Sequence, residues 1–328
     1  MIKYIIKIKI HRGYKRMKNR EKMLQKQSVV ALAAIFCCLL WGSAFPSIKA
    51  GYQMFEIPAA DTATQILFAG IRFALAGIMV IIAGSVLQKK FLKPSKEAVP
   101  KVFKLCLLQT VMQYVFFYIG LAHTTGVKGS IITAVNVFFS ILVSCVLFRL
   151  EKLDFQKLIG CIIGFAGVVS VNLSGTMDMS FHFFGDGFLL ISAFAYALST
   201  VLIKIYGRTE DPVMLSGYQF LVGGLLMIVL GLCIGGKIST VTVAGVLLLF
   251  YMGFISAGAY TLWSILLKYN DVSKVAVFGF FNPVFGVILS AVILQEGASF
   301  NFRTLIALFL VCVGIIVVNY KKQVKKVQ

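Results

Sequence analysis

Residues 70–84 read GIRFALAGIMVIIAG, and the same spacing of glycines within an apolar run returns at residues 217–231 as GYQFLVGGLLMIVLG. Five positions have equivalents 147 residues later: Gly70, Arg72, Phe73, Gly77 and Gly84 correspond to Gly217, Gln219, Phe220, Gly224 and Gly231. At an offset of 146, Tyr114, Lys128 and Asn136 correspond to Tyr260, Lys274 and Asn282, and at an offset of 155, Trp41 and Lys49 correspond to Tyr196 and Lys204. The repeat predicts a chain built from two related halves.

The composition predicts a protein whose main solvent is lipid. Apolar residues make up 59% of the 328 residues and charged residues only 13%, whereas about a quarter of the residues in a soluble domain are charged. About 20 helical residues cross the hydrocarbon of a bilayer. Ten apolar segments of this kind occur, and the fifth and tenth are the shortest: residues 29–50, 64–87, 102–121, 130–148, 158–173, 187–205, 214–234, 242–267, 275–294 and 305–318.

Each half holds five of these segments, so the second half enters the bilayer in the opposite orientation. We therefore predict an all-α integral membrane protein with ten transmembrane helices arranged as two inverted five-helix repeats. The predicted divisions are a basic cytoplasmic N-terminal segment (1–28), a first repeat (29–174), a second repeat (185–320) and a basic cytoplasmic tail (321–328). Inverted repeats are typical of secondary transporters, which hold the solute near the midplane between the halves.

The net charge of +20 is better explained by membrane topology than by nucleic-acid binding. Ten of the 32 Lys and Arg residues lie within the first 26 residues, and most of the others fall in alternate loops. Positive loops stay in the cytoplasm, so both termini are predicted there, in a protein of the cell (inner) membrane. The expected partners are a small-molecule solute and the lipid bilayer, with no nucleic acid, and the choice between monomer and homodimer stays open.

The sequence carries no P-loop, no dinucleotide fingerprint and no His/Cys metal spacing, so we predict neither an enzyme nor a cofactor or metal site. The seven cysteines lie in or beside apolar segments. We expect them to be packing residues rather than a disulfide framework.

Arg72 is the strongest single candidate for a functional residue, because polar groups inside a bilayer are costly. It lies about a third of the way along the second segment, and its equivalent, Gln219, is also polar. A buried guanidinium needs a partner. Backbone carbonyls, Glu56 or Asp61 near the outer face, and an anionic group on the solute are the options, while extension of the side chain to the lipid headgroups is the alternative.

Amide and aromatic side chains add a candidate site for a zwitterionic or weakly polar solute. With Arg72 and Gln219, the set comprises Trp41, Ser43, Gln113, Tyr114, Asn136, Tyr260, Trp263 and Asn282. Hydrogen bonding between helices without any ligand is the alternative for the amides, the tyrosines and Trp263. Anchoring at the membrane interface is a further alternative for Tyr and Trp near segment ends, and core packing is the alternative for Trp41. Gating roles are assigned to Pro46 and Pro283. Pro46 leaves the carbonyl of Gly42, one turn earlier, without its donor and weakens the first helix, with a plain packing kink as the alternative.

Two further features lie near helix ends and in the fifth segment. Glu151 and Glu296 follow the fourth and ninth segments, and we interpret both as cap or loop contacts, with gating as the alternative. Gly160 and Gly164, at a spacing of four, indicate close packing of the fifth segment against another helix.

The chain resembles the drug/metabolite transporter superfamily in its EamA-like ten-helix branch. The resemblance covers residues 27–320 and is carried by WGSAFPSIKAG (41–51), residues 70–73, RLEKLDFQKLIGCIIGFAGVV (149–169), FNPVFGVILS (281–290) and Glu296. It implies a central cavity lined by both halves and alternating access, often with export of amino acids or other small metabolites. It also implies that the Trp-Gly-Ser region and the prolines of helices four and nine lie near the path; here Pro283 is kept, and Val137 occupies the equivalent place in helix four.

The sequence therefore predicts a secondary transporter that exports small metabolites such as amino acids. Proton-driven carriers usually place an acid in the membrane. None is visible here, so facilitated diffusion stands beside proton or sodium coupling. The alternative from another class is a non-transporting membrane subunit or sensor, for example a lipid-modification partner.

Overall fold

The computed structural model describes residues 21–58, 60–123, 126–172, 180–293 and 302–320. Within these ranges the chain is helical and contains no strand. Most of the basic N-terminal segment, the tail at 321–328 and Glu296 lie outside the described residues.

The first half contains helical stretches that we number along the chain. They are α1 (Gln27–Met54), α2 (Thr62–Gln88), α3 (Val99–Leu105, a π-helical stretch Cys106–Met112, and Gln113–Ala122), α4 (Gly126–Ala134, Asn136–Leu142 and a π-helical stretch Val143–Leu147) and α5 (Phe155–Asn172). Side chains cap several of the helix starts. The carboxylate of Asp61 accepts a hydrogen bond from the Thr64 amide at the start of α2, and Asp211 and Thr242 cap the helices that begin at Pro212 and Val243.

The second half contains five further helical stretches. Its stretches are α6 (a π-helical turn Phe183–Gly187 followed by Phe188–Tyr206), α7 (Pro212–Cys233), α8 (Val243–Tyr269), α9 (Val272–Ala276, a 3₁₀ stretch Val277–Phe280, and Phe281–Ile293) and α10 (Phe302–Asn319). Each of the predicted apolar segments overlaps one of these stretches.

Six of the described helices, namely α1, α2, α3, α6, α7 and α8, are long and apolar enough to cross a membrane. The chain is therefore a multi-pass membrane protein. The remaining four, α4, α5, α9 and α10, contain apolar helices of 10–17 residues. The short fifth and tenth segments were predicted, but the interruptions in α4 and α9 were not.

The interruption of α9 has a clear cause. Pro283 has no amide hydrogen to donate to the carbonyl of Gly279, so the backbone tightens into the 3₁₀ stretch Val277–Phe280 just before it. Pro283 itself is the third residue of the following helix, where a missing donor costs little. By contrast, Pro46 is buried inside α1, which continues as one helix from Gln27 to Met54.

The repeated glycines bring α2 and α7 into backbone-to-backbone contact. A Cβ atom at Gly77 would collide with the amide nitrogen of Leu221, and one at Gly224 would collide with that of Ala74. The contact continues along both helices, since Gly231 lies against the backbone of Leu67. Glycine allows this approach because it has no side chain. We call this contact the glycine seam.

The glycines of α5 and α10 form a second close contact between the halves. A Cβ atom at Gly160 would lie 2.8 Å from the carbonyl oxygen of Gly314, and one at Gly314 would lie 2.6 Å from that of Gly160. Gly164 packs against the ring of Phe280 in α9. The predicted close packing of this segment is confirmed.

The cysteines behave as packing residues, as predicted. All seven are free thiols; five are buried, and Cys233 and Cys312 are exposed. In α1, the thiols of Cys37 and Cys38 lie 3.4 Å and 3.2 Å from the carbonyl oxygens of Ala259 and Phe278.

Candidate functional site

Aromatic side chains from both halves meet between α1, α2, α3, α7 and α8. The ring of Trp41 packs edge-on against Tyr260 and Trp263, with centroids 4.9 Å and 5.0 Å away. Phe220 packs edge-on against the other side of the group, 5.0 Å from Tyr260. We call this set the aromatic cluster and define it as Trp41, Phe73, Tyr114, Phe220, Tyr260 and Trp263.

At the centre of the cluster, residues contact their own equivalents in the repeat. The rings of Phe73 and Phe220 stack with centroids 5.5 Å apart and planes 11° from parallel. The hydroxyls of Tyr114 and Tyr260 lie 2.6 Å apart and share a hydrogen bond. The structure thus brings Trp41, Tyr114, Tyr260 and Trp263 together, as the sequence analysis proposed for a single site.

Arg72 lies beside this cluster and is 4% exposed, so its side chain does not extend to the surface. Its guanidinium carbon lies 4.4 Å from the centre of the Phe73 ring and 5.7 Å from that of Tyr114. Such stacking on aromatic faces partly stabilises the charge. The Nε atom, however, is buried without a hydrogen-bond partner, and no ion pair joins Arg72 to a described residue.

The carboxylates of Glu56 and Asp61, which the sequence analysis considered as partners of Arg72, form hydrogen bonds with other residues. Glu56 accepts a hydrogen bond from Thr240 at 2.7 Å, and Asp61 accepts one from the Thr64 hydroxyl at 2.7 Å. An unpaired guanidinium in a membrane interior costs several kcal/mol. Among the described residues, no hydrogen bond or ion pair joins Arg72 to a backbone carbonyl, to Glu56 or to Asp61.

Gln219 pairs with a residue that sequence reasoning missed. Its Nε2 donates to the Oε1 atom of Gln109 in α3, and both side chains are buried. Gln109 is an amide in an apolar segment, which was a usable signal. Gln109 has no amide equivalent in the second half, since the positions 146 and 147 residues later hold Ile255 and Ser256.

Several polar atoms around the cluster are buried without a partner in the described part of the chain. They are the indole nitrogens of Trp41 and Trp263, the side-chain oxygens of Gln113 and Gln219, and the Tyr52 hydroxyl. Buried polar groups are nearly always hydrogen-bonded in folded proteins. An unusual number of free donors and acceptors therefore surrounds Arg72 and the cluster.

Other predicted site residues are not joined to the cluster. The Ser43 hydroxyl donates to the carbonyl of Leu40 at 2.7 Å and accepts from Tyr251 at 3.0 Å, so it serves the contact between α1 and α8. No hydrogen bond or ring contact among the described residues links Asn136 or Asn282 to the cluster, although the Oδ1 atom of Asn282 is buried and unpartnered.

Three tyrosines that were not assigned to the site, Tyr52, Tyr118 and Tyr196, pack around the aromatic cluster. Tyr196 is the repeat equivalent of Trp41, and that relation was the signal that could have placed it here. Tyr52 also lines a cavity of about 370 Å³ at the C-terminal end of α1, together with Lys49, Gln53, Glu56, Ile57 and Pro58. The cavity therefore reaches a residue that touches the cluster.

Glu151 joins the two halves at the end of the molecule that holds Lys152, Lys157, Lys268 and Lys274, which we call the lysine-rich end. Its carboxylate accepts hydrogen bonds from Ser144 at 3.0 Å, from the amides of Val272 and Ser273 at the start of α9, and from the Ser273 hydroxyl. It also pairs with Lys157 at 3.1 Å. We call this group the Glu151 network; the interpretation of Glu151 as a cap contact is confirmed.

The network also controls the ionisation of Glu151. Burial alone would raise the pKa of the carboxyl, but the Ser273 hydrogen bond and the Lys157 charge outweigh burial and hold that pKa below its ordinary value. Glu151 is therefore a carboxylate at neutral pH, with its oxygens fully engaged.

The profile of the EamA-like transporter family matches the chain twice, over residues 28–173 and 183–320. The chain belongs to the EamA-like transporter family. It is 27% identical to YvbV of Bacillus subtilis over 311 residues, which cover 93% of this chain and 96% of that protein. It is 30% identical over 273 residues to YetK of the same organism, with 78% and 79% covered. Both relatives are described as uncharacterized transporters.

A solved crystal structure shares the fold of this EamA-like protein. It superposes with a TM-score of 0.73 and covers 89% of this chain and 96% of its own, at 17% sequence identity. The family match and the relatives confirm the resemblance to the drug/metabolite transporter superfamily, and the chain is a membrane transporter.

Proposed function

We propose that this EamA-like transporter is a secondary carrier that exports small metabolites, such as amino acids or related compounds, by alternating access. In this proposal ten helices cross the cell (inner) membrane as two inverted five-helix repeats, with both termini in the cytoplasm. The uneven distribution of Lys and Arg supports this orientation. A homodimer is compatible with the proposal but is not required by it.

Contacts between equivalent residues support a two-fold relation between the halves, and the odd number of segments in each half favours the inverted form of it. Equivalent residues are expected to meet where a two-fold axis passes between the halves. Phe73 touches Phe220, and Tyr114 touches Tyr260, in the aromatic cluster. An axis in the membrane plane is typical of carriers that bind the solute between the repeats.

The observation that carries the proposal is Arg72, a buried guanidinium with no described partner beside a cluster built by both halves. The proposed solute site comprises Trp41, Ser43, Arg72, Gln113, Tyr114, Asn136, Gln219, Tyr260, Trp263 and Asn282, with Pro46 and Pro283 in gating. A solute carboxylate would pair with Arg72, and the aromatic rings would cover the rest of the solute.

Alternating access requires the lysine-rich end to open in one state. The Glu151 network and the hydrogen bonds from Lys204 to the carbonyls of Asn270 and Leu267 tie helices together at that end. These contacts would break when the site opens there. Every Asp and Glu of the described residues lies in a loop or near a helix end, which favours facilitated diffusion over coupling through a membrane-embedded acid.

The proposal is tested by reconstituting the purified protein into liposomes loaded with a mixture of amino acids and related metabolites, and by measuring which compounds leave. The expected result is efflux of at least one compound that is retained by loaded liposomes without the protein. Collapse of a proton gradient and removal of sodium then distinguish coupled from uncoupled transport. Absence of efflux, together with no thermal stabilisation by any compound, would favour the non-transporting subunit instead.

A further inference from the structure

The charge of the aromatic cluster is unbalanced. Arg72 is the charged side chain that contacts the cluster, and the described carboxylates all lie at helix ends or in loops. A second buried cation, Lys204, differs because its Nζ donates to the carbonyls of Asn270 and Leu267. The site around Arg72 therefore carries a positive charge with nothing described to offset it.

The same surroundings offer little to a positively charged group. Aromatic faces can hold an ammonium ion, but the guanidinium of Arg72 lies over Phe73 and Tyr114 and would repel a second cation at those two rings. The unpartnered acceptors among the described residues of the proposed site are the neutral amide oxygens of Gln113, Gln219 and Asn282. A neutral amide does not compensate for the dehydration of an ammonium ion, which would also be repelled by Arg72.

The unpartnered donors, by contrast, suit an anion. The indole nitrogens of Trp41 and Trp263 can only donate, and both are buried without an acceptor, as is Nε of Arg72. Carboxylate oxygens accept several such hydrogen bonds, and charge-assisted ones are the strongest. The rings of Trp41, Tyr260 and Trp263 provide the apolar surface on which an aromatic body would pack.

We propose that the site selects aromatic monocarboxylates by their carboxylate and does not recognise an amino group, so that the species carried is a net anion. This inference rests on the proposed function and narrows its substrate class. An amino acid would bind through the carboxylate alone, with its ammonium group as a cost. A simple aromatic acid would then be preferred to the amino acid of the same shape.

The chain offers a direct reporter for this proposal, because its two tryptophans, Trp41 and Trp263, both belong to the aromatic cluster. Tryptophan fluorescence of the purified full-length protein can be titrated with phenylpropionate, phenylalanine and phenethylamine. These three share a phenyl ring on a two-carbon arm and carry a carboxylate only, both groups, and an ammonium only. Phenylpropionate is expected to bind most tightly, phenylalanine about tenfold more weakly, and phenethylamine not measurably.

Arg72→Gln is expected to weaken phenylpropionate binding by about 30-fold or more, since one partner of a buried charged pair is lost. Arg72→Lys keeps the charge and is expected to restore part of the affinity, whereas Lys237→Gln, in an outer loop, leaves it unchanged. If the Arg72 variants fold poorly, the ligand series on the wild-type protein still decides.

Tighter binding of phenylalanine than of phenylpropionate, binding of phenethylamine, or no binding of any of the three would each overturn the inference. Liposome efflux separates this failure from failure of the proposed function. A carrier that moves zwitterions or amines would leave the proposed function standing and remove only the anion preference.

Discussion

Arg72 and Glu151 are both buried charges, but only Glu151 has hydrogen-bond and ion-pair partners among the described residues. Glu151 has hydrogen bonds from Ser144, Val272 and Ser273 and an ion pair with Lys157. Arg72 has only aromatic faces beneath it, and its Nε has no partner. A saturated charge fixes the position of the helices around it. A charge left unsatisfied is available to a molecule that comes and goes, at a cost in stability.

The largest effect is expected from Glu151→Ala. The change leaves the Lys157 ammonium without its carboxylate and the amides at the start of α9 without an acceptor, so the free energy of unfolding should fall by about 3 kcal/mol. Thermal unfolding in detergent measures this. The matched control is Glu210→Ala at the more exposed pair with Lys101, where a loss of less than about 1 kcal/mol is expected.

Arg72→Gln should have the reverse profile. Solute efflux from liposomes is expected to fall by about 30-fold or more, while the thermal midpoint stays the same or rises, because an unpaired buried charge is removed. Both quantities are measured on the same preparation, beside Lys237→Gln. A drop in midpoint comparable to that of Glu151→Ala would mean that Arg72 has a structural partner and that the contrast is wrong.

Acidification should weaken the Glu151 network. Because the pKa of Glu151 is held below its ordinary value, its contribution is fully present above the usual carboxyl range and is lost as the pH falls through the lowered pKa. The thermal midpoint of the wild type should therefore drop on acidification by more than that of Glu151→Gln. Equal pH profiles for the two proteins would remove the assigned role of this carboxylate.

The smallest effect concerns the hydroxyl pair of Tyr114 and Tyr260. A double-mutant cycle with Tyr114→Phe and Tyr260→Phe should give a coupling energy of about 0.6 kcal/mol, typical of a hydrogen bond between membrane helices. Thermal unfolding of the four proteins provides it. The cycle should also be measured with ligand present. A coupling energy that disappears on addition of ligand would mean that the two hydroxyls separate to admit the solute.

The repeat in the sequence anticipated much of this architecture. The glycines at an offset of 147 mark the glycine seam, and the aromatic residues chosen for the site do meet in one cluster. Such features follow from residue type and spacing alone, because glycine at regular intervals has few other uses in an apolar helix.

What could not be anticipated depends on three-dimensional pairing. The Gln219–Gln109 hydrogen bond joins α7 to α3, and nothing in either segment specifies the other. The hydrogen bond between Ser43 and Tyr251 depends on the rotation of α1. The π-helical stretch Cys106–Met112 likewise lacks a proline or glycine to signal it. Each is decided by packing between helices rather than by local sequence.

The glycine seam has a mechanical consequence. Because a single added carbon at Gly77 or Gly224 would strike the facing backbone, any lengthwise shift of α2 against α7 would drive larger side chains into that narrow gap. We therefore expect α2 and α7 to keep their relative position while other helices move. In the proposed alternating-access cycle, the movement would then come from interrupted helices such as α4, broken at Val135, and α9, broken at Val277–Phe280.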